Sequence, residues 1–373
     1  MNQSDFELAV SLRHELHRNP ELSLQEDWTV KRLQRFLREH APNLEIYDRG
    51  HWFYAVYRAE APRKAIAFRC DIDALPISED PQLMPHASQV ANVSHKCGHD
   101  GHAATMAVFA MQVSRTGCDA DVYFLFQHAE EIGAGALECT AMLKENHIDE
   151  IYGYHNQPGL KLGTTETMAG TFYDASKGMT ISFGGKSSHA SMPEVGINPA
   201  FAISDLIQVI PHLIRGDEYT GLVQCTIIQV DVGTPTFGTQ AHQGKLLLTI
   251  RGEHESEMDS LQSRLETLAR AKAEEYGLTC AFSYCDYFPE TANTQAQVDL
   301  VARICAQNGW DFRLCETPHR GSEDFGFYTQ LIPGCIFEIG AGENWPELHT
   351  ALFDFNDNVI PYALRLYWAL LKA

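Results

Sequence analysis

The stretch His95-Lys96-Cys97-Gly98-His99-Asp100-Gly101-His102 constrains this chain more than any other. It places three histidines, a cysteine and an aspartate in eight positions, directly ahead of the apolar run 103–111. Packing alone has no use for such a set, whereas a soft thiolate and imidazoles suit zinc and similar first-row divalent ions. Cys97 and His99 lie two apart with Gly98 between them. They converge on one ion from a turn or an extended segment, while helical spacing splays them. The apolar run reads as a buried helix whose N-terminal end carries Asp100. The stretch is thus a metal loop at the start of a core helix; the competing reading is a reduced cysteine beside histidines that lie at the surface or behind a site.

At 373 residues the chain exceeds the size at which single cores stop growing, so two domains are expected. Twenty-eight basic against 49 acidic side chains leave a formal charge of −21, which opposes a nucleic-acid backbone or an anionic membrane surface and favours a small-molecule partner. The first residues, 1–7, are polar and lack a basic-then-apolar leader, and no run approaches the length of a membrane span. A soluble, cytoplasmic protein is expected. Ten cysteines lie scattered, mostly singly in apolar segments, and read as buried thiols, with Cys97 the exception.

In chain order, Ser4-Asp5-Phe6-Glu7 fits a capping box for a helix that Asn19-Pro20 stops, and a second amphipathic helix covers about 26–39. Runs 44–47 and 52–57 read as a hairpin. Three apolar strands then each lead into polar residues: 64–68 into Arg69-Cys70-Asp71-Ile72-Asp73, 122–126 into Gln127-His128-Ala129-Glu130-Glu131, and 151–154 into His155-Asn156. Strands alternating with helices imply an α/β chain with a largely parallel sheet, and ligands of such sheets gather beyond the carboxyl ends of the strands. From about 177 the order becomes β-α-β-β-α-β, the ferredoxin-like split unit, which reads as an inserted second domain. The expected division is 1–176 and 289–373 for the catalytic domain and 177–288 for the insert. Beyond 289 a buried strand at 333–340 is followed by Glu347-Leu348-His349-Thr350, one more histidine in a loop.

Glu130-Glu131 is the second informative element. Adjacent carboxylates at a strand end repel one another unless a metal or a proton lies between them. One can ligate while the other stays free to take a proton from water. A solvated pair is the common alternative, and the apolar Phe124-Leu125-Phe126 before it argues for a site.

Six blocks together resemble the hippuricase-type amidohydrolases, a branch of the zinc aminoacylase and carboxypeptidase family. They are His17-Arg18-Asn19-Pro20-Glu21-Leu22, Asp71-Ile72-Asp73-Ala74-Leu75-Pro76, Cys97-Gly98-His99-Asp100-Gly101-His102, His128-Ala129-Glu130-Glu131, Ser188-His189-Ala190-Ser191-Met192-Pro193 and Gly321-Ser322-Glu323-Asp324-Phe325, in family order over almost the full length. The resemblance implies a zinc-exopeptidase-like α/β/α catalytic domain with an inserted ferredoxin-like α+β domain that closes over the site and dimerises. It implies hydrolysis of the amide bond of an N-acyl amino acid by a metal-activated water. It also implies two divalent ions (zinc or manganese, with cobalt or nickel compatible) held by Cys97, His99, Glu131, His155 and His349, with Cys97 as the bridge. Glu130 matches the family's general base, His189 the histidine that reaches the substrate carbonyl, and Asp71 and Asp73 the carboxylates that orient ligand histidines.

Bland readings stand beside these. His155 alone reads as a strand-end histidine, and His189 as a loop histidine. His95, His102 and His128 read as structural or as partners standing behind the ligands. Arg251 suits a substrate carboxylate or an end-of-strand ion pair, and Asn198 suits substrate or a helix cap ahead of Pro199. Glu323-Asp324 either shapes the pocket or caps a helix. One departure bears on substrate: Gly238, in Phe237-Gly238-Thr239, stands where the family carries an asparagine that contacts the substrate carboxylate. The rival functions are a dipeptidase or carboxypeptidase of the same superfamily and a non-catalytic metal or ligand binder.

Overall fold

The computed structural model describes residues 2–82, 84–215 and 218–373. Helix α1 (Gln3–Arg18) is capped by Asn2, whose side-chain oxygen accepts from Asp5 N at 2.8 Å. The expected Ser4 cap is therefore replaced by a residue two positions earlier, and Glu7 accepts instead from the Gln3 side chain. There follow α2 (Asp27–His40), β1 (Glu45–Asp48), β2 (Phe53–Tyr57), β3 (Ala65–Asp71), α3 (His99–Thr116), β4 (Asp121–Gln127), α4 (Gly135–Glu145), β5 (Glu150–Pro158), β6 (Thr165–Thr167) and β7 (Gly170–Tyr173). Next come β8 (Ala175–Gly184), α5 (Ala200–Leu213), β9 (Val223–Val232), β10 (Gln243–Gly252), α6 (Glu255–Tyr276) and β11 (Thr279–Phe288). The chain ends with β12 (Thr291–Asn293), α7 (Gln295–Asn308), β13 (Phe312–Leu314), α8 (Gly326–Thr329), β14 (Gly334–Gly342) and α9 (Ile360–Lys372).

Contacts divide these elements into two units: Met1–Phe172 with Thr291–Thr317 and Asp324–Ala373, and Tyr173–Glu290 with Pro318–Glu323. The segment 318–323, expected with the first unit, groups with the second because Ser322 Oγ lies 2.8 Å from Ser176 Oγ and donates to Asp174 O.

The first unit is built on an eight-stranded sheet in the order β1-β2-β4-β3-β5-β14-β6-β13. Its central strands β4, β3, β5 and β14 are parallel. Such strands bury both faces and read as continuous apolar runs, and β3 and β4 do so until their last residues. There the structure departs from the expected strand ends. Arg69, Asp71, Gln127, His155 and Asn156 all continue the ladder instead of following it, because their side chains bond buried groups of the protein: Arg69 bonds Asp71 and Gln127, and Asn156 bonds His102. Helix α3 packs on β3, with Phe109 5.0 Å from Phe68, and is buried along nearly its whole length. It therefore lacks an amphipathic stripe. Gly98 precedes it with φ +99°, where a β-carbon would lie 2.4 Å from Asn156 Oδ1, so only glycine fits this turn.

The second unit is a four-stranded antiparallel sheet, β11-β8-β10-β9, with α5 and α6 packed against it. Alternate residues of β10 (Leu246, Leu248, Ile250) and of β8 (Met179, Ile181, Phe183) form its core with Leu206, Leu261 and Leu265. Cys225, Cys280 and Cys285 lie on its strands and are half-buried or exposed, contrary to the expectation of buried thiols; the five buried cysteines all belong to the first unit.

Candidate metal centre

Strand β5, the N-terminus of α3 and the turn before it, the turn after β4 and the loop after β14 bring Cys97, His99, Glu131, His155 and His349 together, all within the first unit. The ligand atoms form two triads that share Cys97. One is Cys97, His99 and His155; the other is Cys97, Glu131 and His349; within each, all atoms lie within 4.8 Å of one another. Cys97 Sγ is 3.4 Å from His155 Nε2 and 3.4 Å from His349 Nε2. Glu131 Oε2 is 3.5 Å from His349 Nε2, and Glu131 Oε1 is 3.7 Å from His99 Nε2. Donors at about 2.0–2.3 Å from one tetrahedral ion stand roughly 3.3–3.6 Å apart, so the 3.4–3.5 Å separations within each triad fit one cation per triad.

Tautomers agree with ligation. His99 Nδ1 donates to Asp73, to O at 3.0 Å and Oδ1 at 3.1 Å, and His155 Nδ1 donates to Asn156 O at 2.9 Å. Each ring thus turns its Nε2 to the pocket. His99 Nε2 and Glu131 Oε1 are buried without a hydrogen-bond partner among the described residues. Buried polar atoms are rarely left so, and a cation in each triad satisfies both.

The electrostatics point the same way. Burial pushes the Cys97 thiol far up, reinforced by the carboxylates of Glu131, Glu130 and Asp71, so a thiolate here needs a cation beside it. Burial raises Glu131 to about 7 against the pull of His99. His99 is the exception: burial alone would depress it, but Asp71, Asp73 and Glu131 outweigh it and hold the imidazole at about 10, so a metal bound here must displace a proton. His155 is pushed well down by burial and then by His102, and His349 down by burial and His99, the neutral state a ligand requires.

Two strained residues border the pocket. Ala129 (φ +48°), directly before Glu130, and His349 itself (φ +60°) are left-handed without being glycine, a conformation that costs about 1–3 kcal/mol and concentrates at functional sites. Ala129 is held by the buried Glu26, whose Oε1 accepts its N–H at 2.9 Å. Glu130 is 6% exposed, with Oε2 3.9 Å from His99 Nε2.

Behind the ligands runs a buried charge network that joins the expected Asp71 to Arg69, Gln127 and Asn156, which sequence reasoning missed. Asp71 accepts from Arg69 at 3.0 Å and pairs with His102, which also meets Asn156. Arg69 continues to Gln127 and Asp324, each at 2.8 Å. Asp324 accepts from Ala136 N at 2.9 Å and so caps α4. His95, with neither nitrogen partnered among the described residues, and His128, 3.3 Å from Glu138, stand outside both triads.

A second histidine cluster, His17, His86 and Asp354, has a different character. Arg13 lies 2.7 Å from Asp354, and His17 bonds Asp100 at 2.8 Å and Glu79 at 3.0 Å with its two nitrogens. Burial pulls His17 down, yet Asp100 and Glu79 hold it at about 9. The cluster already contains two cations and is an ion-pair network.

The remaining predicted residues lie in the second unit. Ser191 N donates to His189 Nδ1 at 3.2 Å, which leaves the ring proton on Nε2, and Ser191 Oγ lies 2.7 Å from the same nitrogen. Arg251 donates to Ser322 Oγ, and burial depresses its guanidinium against the pull of Asp174. Asn198 Oδ1 accepts from Ala200 N at 3.0 Å and thereby caps α5. Gly238 accepts from Ala190 N at 3.0 Å, tying its loop to His189.

Among characterised proteins, the N-acetylcysteine deacetylase of Bacillus subtilis is 30% identical over 368 residues, covering 96% of this chain and 94% of that protein. An N-acetyldiaminopimelate deacetylase of Lacticaseibacillus casei is 28% identical, covering 95% and 93%. A crystal structure described as a dinuclear metal-binding peptidase of the M20 family, from Bacillus subtilis, superposes with a TM-score of 0.83 at 27% identity, covering 99% of this chain and 98% of that one. The model of peptidase family M20/M25/M40 matches residues 67–373, a span that contains every residue of both triads. On that match, over more than half of its length, the chain belongs to peptidase family M20/M25/M40 and is a hydrolase of amide bonds.

Proposed function

We propose that this protein is a metal-dependent amidohydrolase that removes the acyl group from N-acyl amino acids, with N-acetyl amino acids as the first substrates to test. The observation that carries the reading is the pair of ligand triads sharing Cys97, with the Glu130 carboxylate beside them and outside both. A purely structural metal site is closed by its ligands and has no use for an additional acid. Relatives along the whole chain that deacetylate N-acetylcysteine and N-acetyldiaminopimelate support the substrate class.

Cys97, His99, Glu131, His155 and His349 would hold two divalent cations. Such a pair supplies Lewis-acid polarisation of the carbonyl and a lowered pKa for water in the site. Glu130 takes the proton of the attacking water and returns it to the departing nitrogen. His189, with its proton on Nε2, donates to the carbonyl oxygen as negative charge builds there. Asp73 fixes the His99 ring, Asp71 and Arg69 fix His102, and Arg251 offers a cation to the substrate carboxylate. We further propose a homodimer formed through the second unit.

The experiment is hydrolysis of N-acetyl, N-benzoyl and indole-acetyl amino acids and of dipeptides by metal-reconstituted enzyme, beside Glu130→Gln and a chelated sample. Metal-dependent release of an amino acid, reduced about 10²–10⁴-fold in kcat in Glu130→Gln with metal content unchanged, is expected. Turnover of dipeptides alone overturns the deacylase reading, and full activity in Glu130→Gln overturns the mechanism.

A further inference from the structure

We infer that Lys96 is a positioning residue that clamps the loop carrying His349 against the Cys97 loop, and so sets the metal affinity of the triad containing His349. The inference rests on the reading of His349 as a ligand.

Lys96 is fully buried, which is rare for lysine unless its ammonium is partnered. Its Nζ donates to Phe353 O at 2.7 Å and to the Glu79 carboxylate. Its own carbonyl accepts from His349 N at 2.8 Å. One residue therefore grips the 349–353 loop at both ends, by its backbone at His349 and by its side chain at Phe353. Since Cys97 follows Lys96 directly, the same grip fixes the 3.4 Å between Cys97 Sγ and His349 Nε2.

The loop needs such a hold. His349 is left-handed without being glycine, and its side chain is 52% exposed, so neither local backbone preference nor burial keeps it in place. The ammonium is in turn held by Glu79, which also accepts from His17 Nε2 and from Ser88 N. The loop is thus fastened through Glu79 to the ion-pair network around His17. An unbranched apolar side chain that replaces the lysine stem without the ammonium removes the donor to Phe353 O.

The test titrates zinc into metal-free protein against a chromophoric chelator, which reads metal affinity independently of turnover. Wild type is expected to bind two ions, and His349→Ala identifies the event that depends on His349. Lys96→Met is expected to weaken that event about 10–100-fold, the size typical of outer-shell partners, and to leave the other unchanged. The double variant should bind no more weakly than His349→Ala, because residues acting through one another are not additive. Should Lys96→Met fail to fold by its metal-free melting curve, Glu79→Gln, which removes the carboxylate that anchors the ammonium, is expected to weaken the same event. Wild-type affinity for both ions in the variant that folds, equal weakening of both events, or additive losses in the double variant overturns the inference. Unchanged zinc binding in His349→Ala overturns instead the ligand assignment on which it rests.

Discussion

At the scale of single residues, the ligands of this centre are only as well placed as the buried charges behind them. Asp71 is fully buried yet held far below the usual carboxylate range, since burial is outweighed by His99, His102 and Arg69. Its neutral isostere in Asp71→Asn leaves the Arg69 guanidinium buried with less than its full charge complement. Removing one partner of a buried pair costs about 3–5 kcal/mol, and losing an outer-shell carboxylate costs about 10–100-fold in metal affinity. Denaturant unfolding of the metal-free variant and zinc titration of the folded one check the two effects separately; loss of stability with unchanged affinity would confine Asp71 to the fold. The motif Arg69-Cys70-Asp71-Ile72-Asp73 made the two aspartates visible in sequence, as the two-residue spacing of Cys97 and His99 made theirs. Arg69 was not visible, because its partner Asp324 lies 255 residues away and a buried arginine at the end of an apolar strand resembles the strand's exit into solvent. His349 is the extreme case: one histidine in a loop, with no spacing to any other ligand, was reachable only through the resemblance.

At the scale of elements, the same limit shows in where strands stop. Apolar runs predicted β3, β4 and β5 but ended them early, since β5 runs on to Pro158 and carries His155 inside the ladder. Polar residues that satisfy one another extend a strand without leaving an apolar trace. The second unit was easier to read, because its sheet buries one face only and alternation survives in β8 and β10. That one-sidedness also exposes an edge. β9 closes the sheet on one side, and Ile228 and Val230 are 59% and 47% exposed on it. Exposed apolar edge strands pair with other chains unless charge or proline blocks them. The proposed homodimer is expected to form there, so wild type should sediment as a dimer and Ile228→Lys with Val230→Lys as a folded monomer. A wild type that is monomeric at micromolar concentration, or a dimer untouched by both lysines, rules this edge out.

For the molecule as a whole, the network of Arg13, His17, Glu79, Lys96 and Asp100 ties the first helix, the metal loop and the segment at 354–357 into one structure, and it makes stability depend on pH in a defined way. Burial pushes Glu79 up, but His17 and Lys96 outweigh it and hold the carboxyl at about 2, below its ordinary 4.5. A depressed carboxyl stabilises the folded state above 4.5, and that contribution is lost as pH falls through 2. His17 is held at about 9 against an ordinary 6.5, so its contribution is complete below 6.5 and is lost as pH rises through 9. Glu26 acts on the same alkaline side: burial and Asp73 push its carboxyl to about 8, so ionising it weakens the folded state as pH climbs from 4.5 to 8. Metal-free protein should accordingly melt highest near pH 4.5, with Tm falling below it through Glu79, declining above it through Glu26, and declining more steeply beyond 6.5 where His17 joins. In His17→Gln the decline between 6.5 and 9 should become shallower, and adding Glu26→Gln should flatten it further, while the acid limb set by Glu79 loses part of its slope because His17 no longer faces it. An alkaline limb equally steep in the double variant would place its origin outside this network. The measurement is made with chelator present, because a bound divalent cation stabilises the folded state by mass action and brings a pH dependence of its own through its thiolate and imidazole ligands.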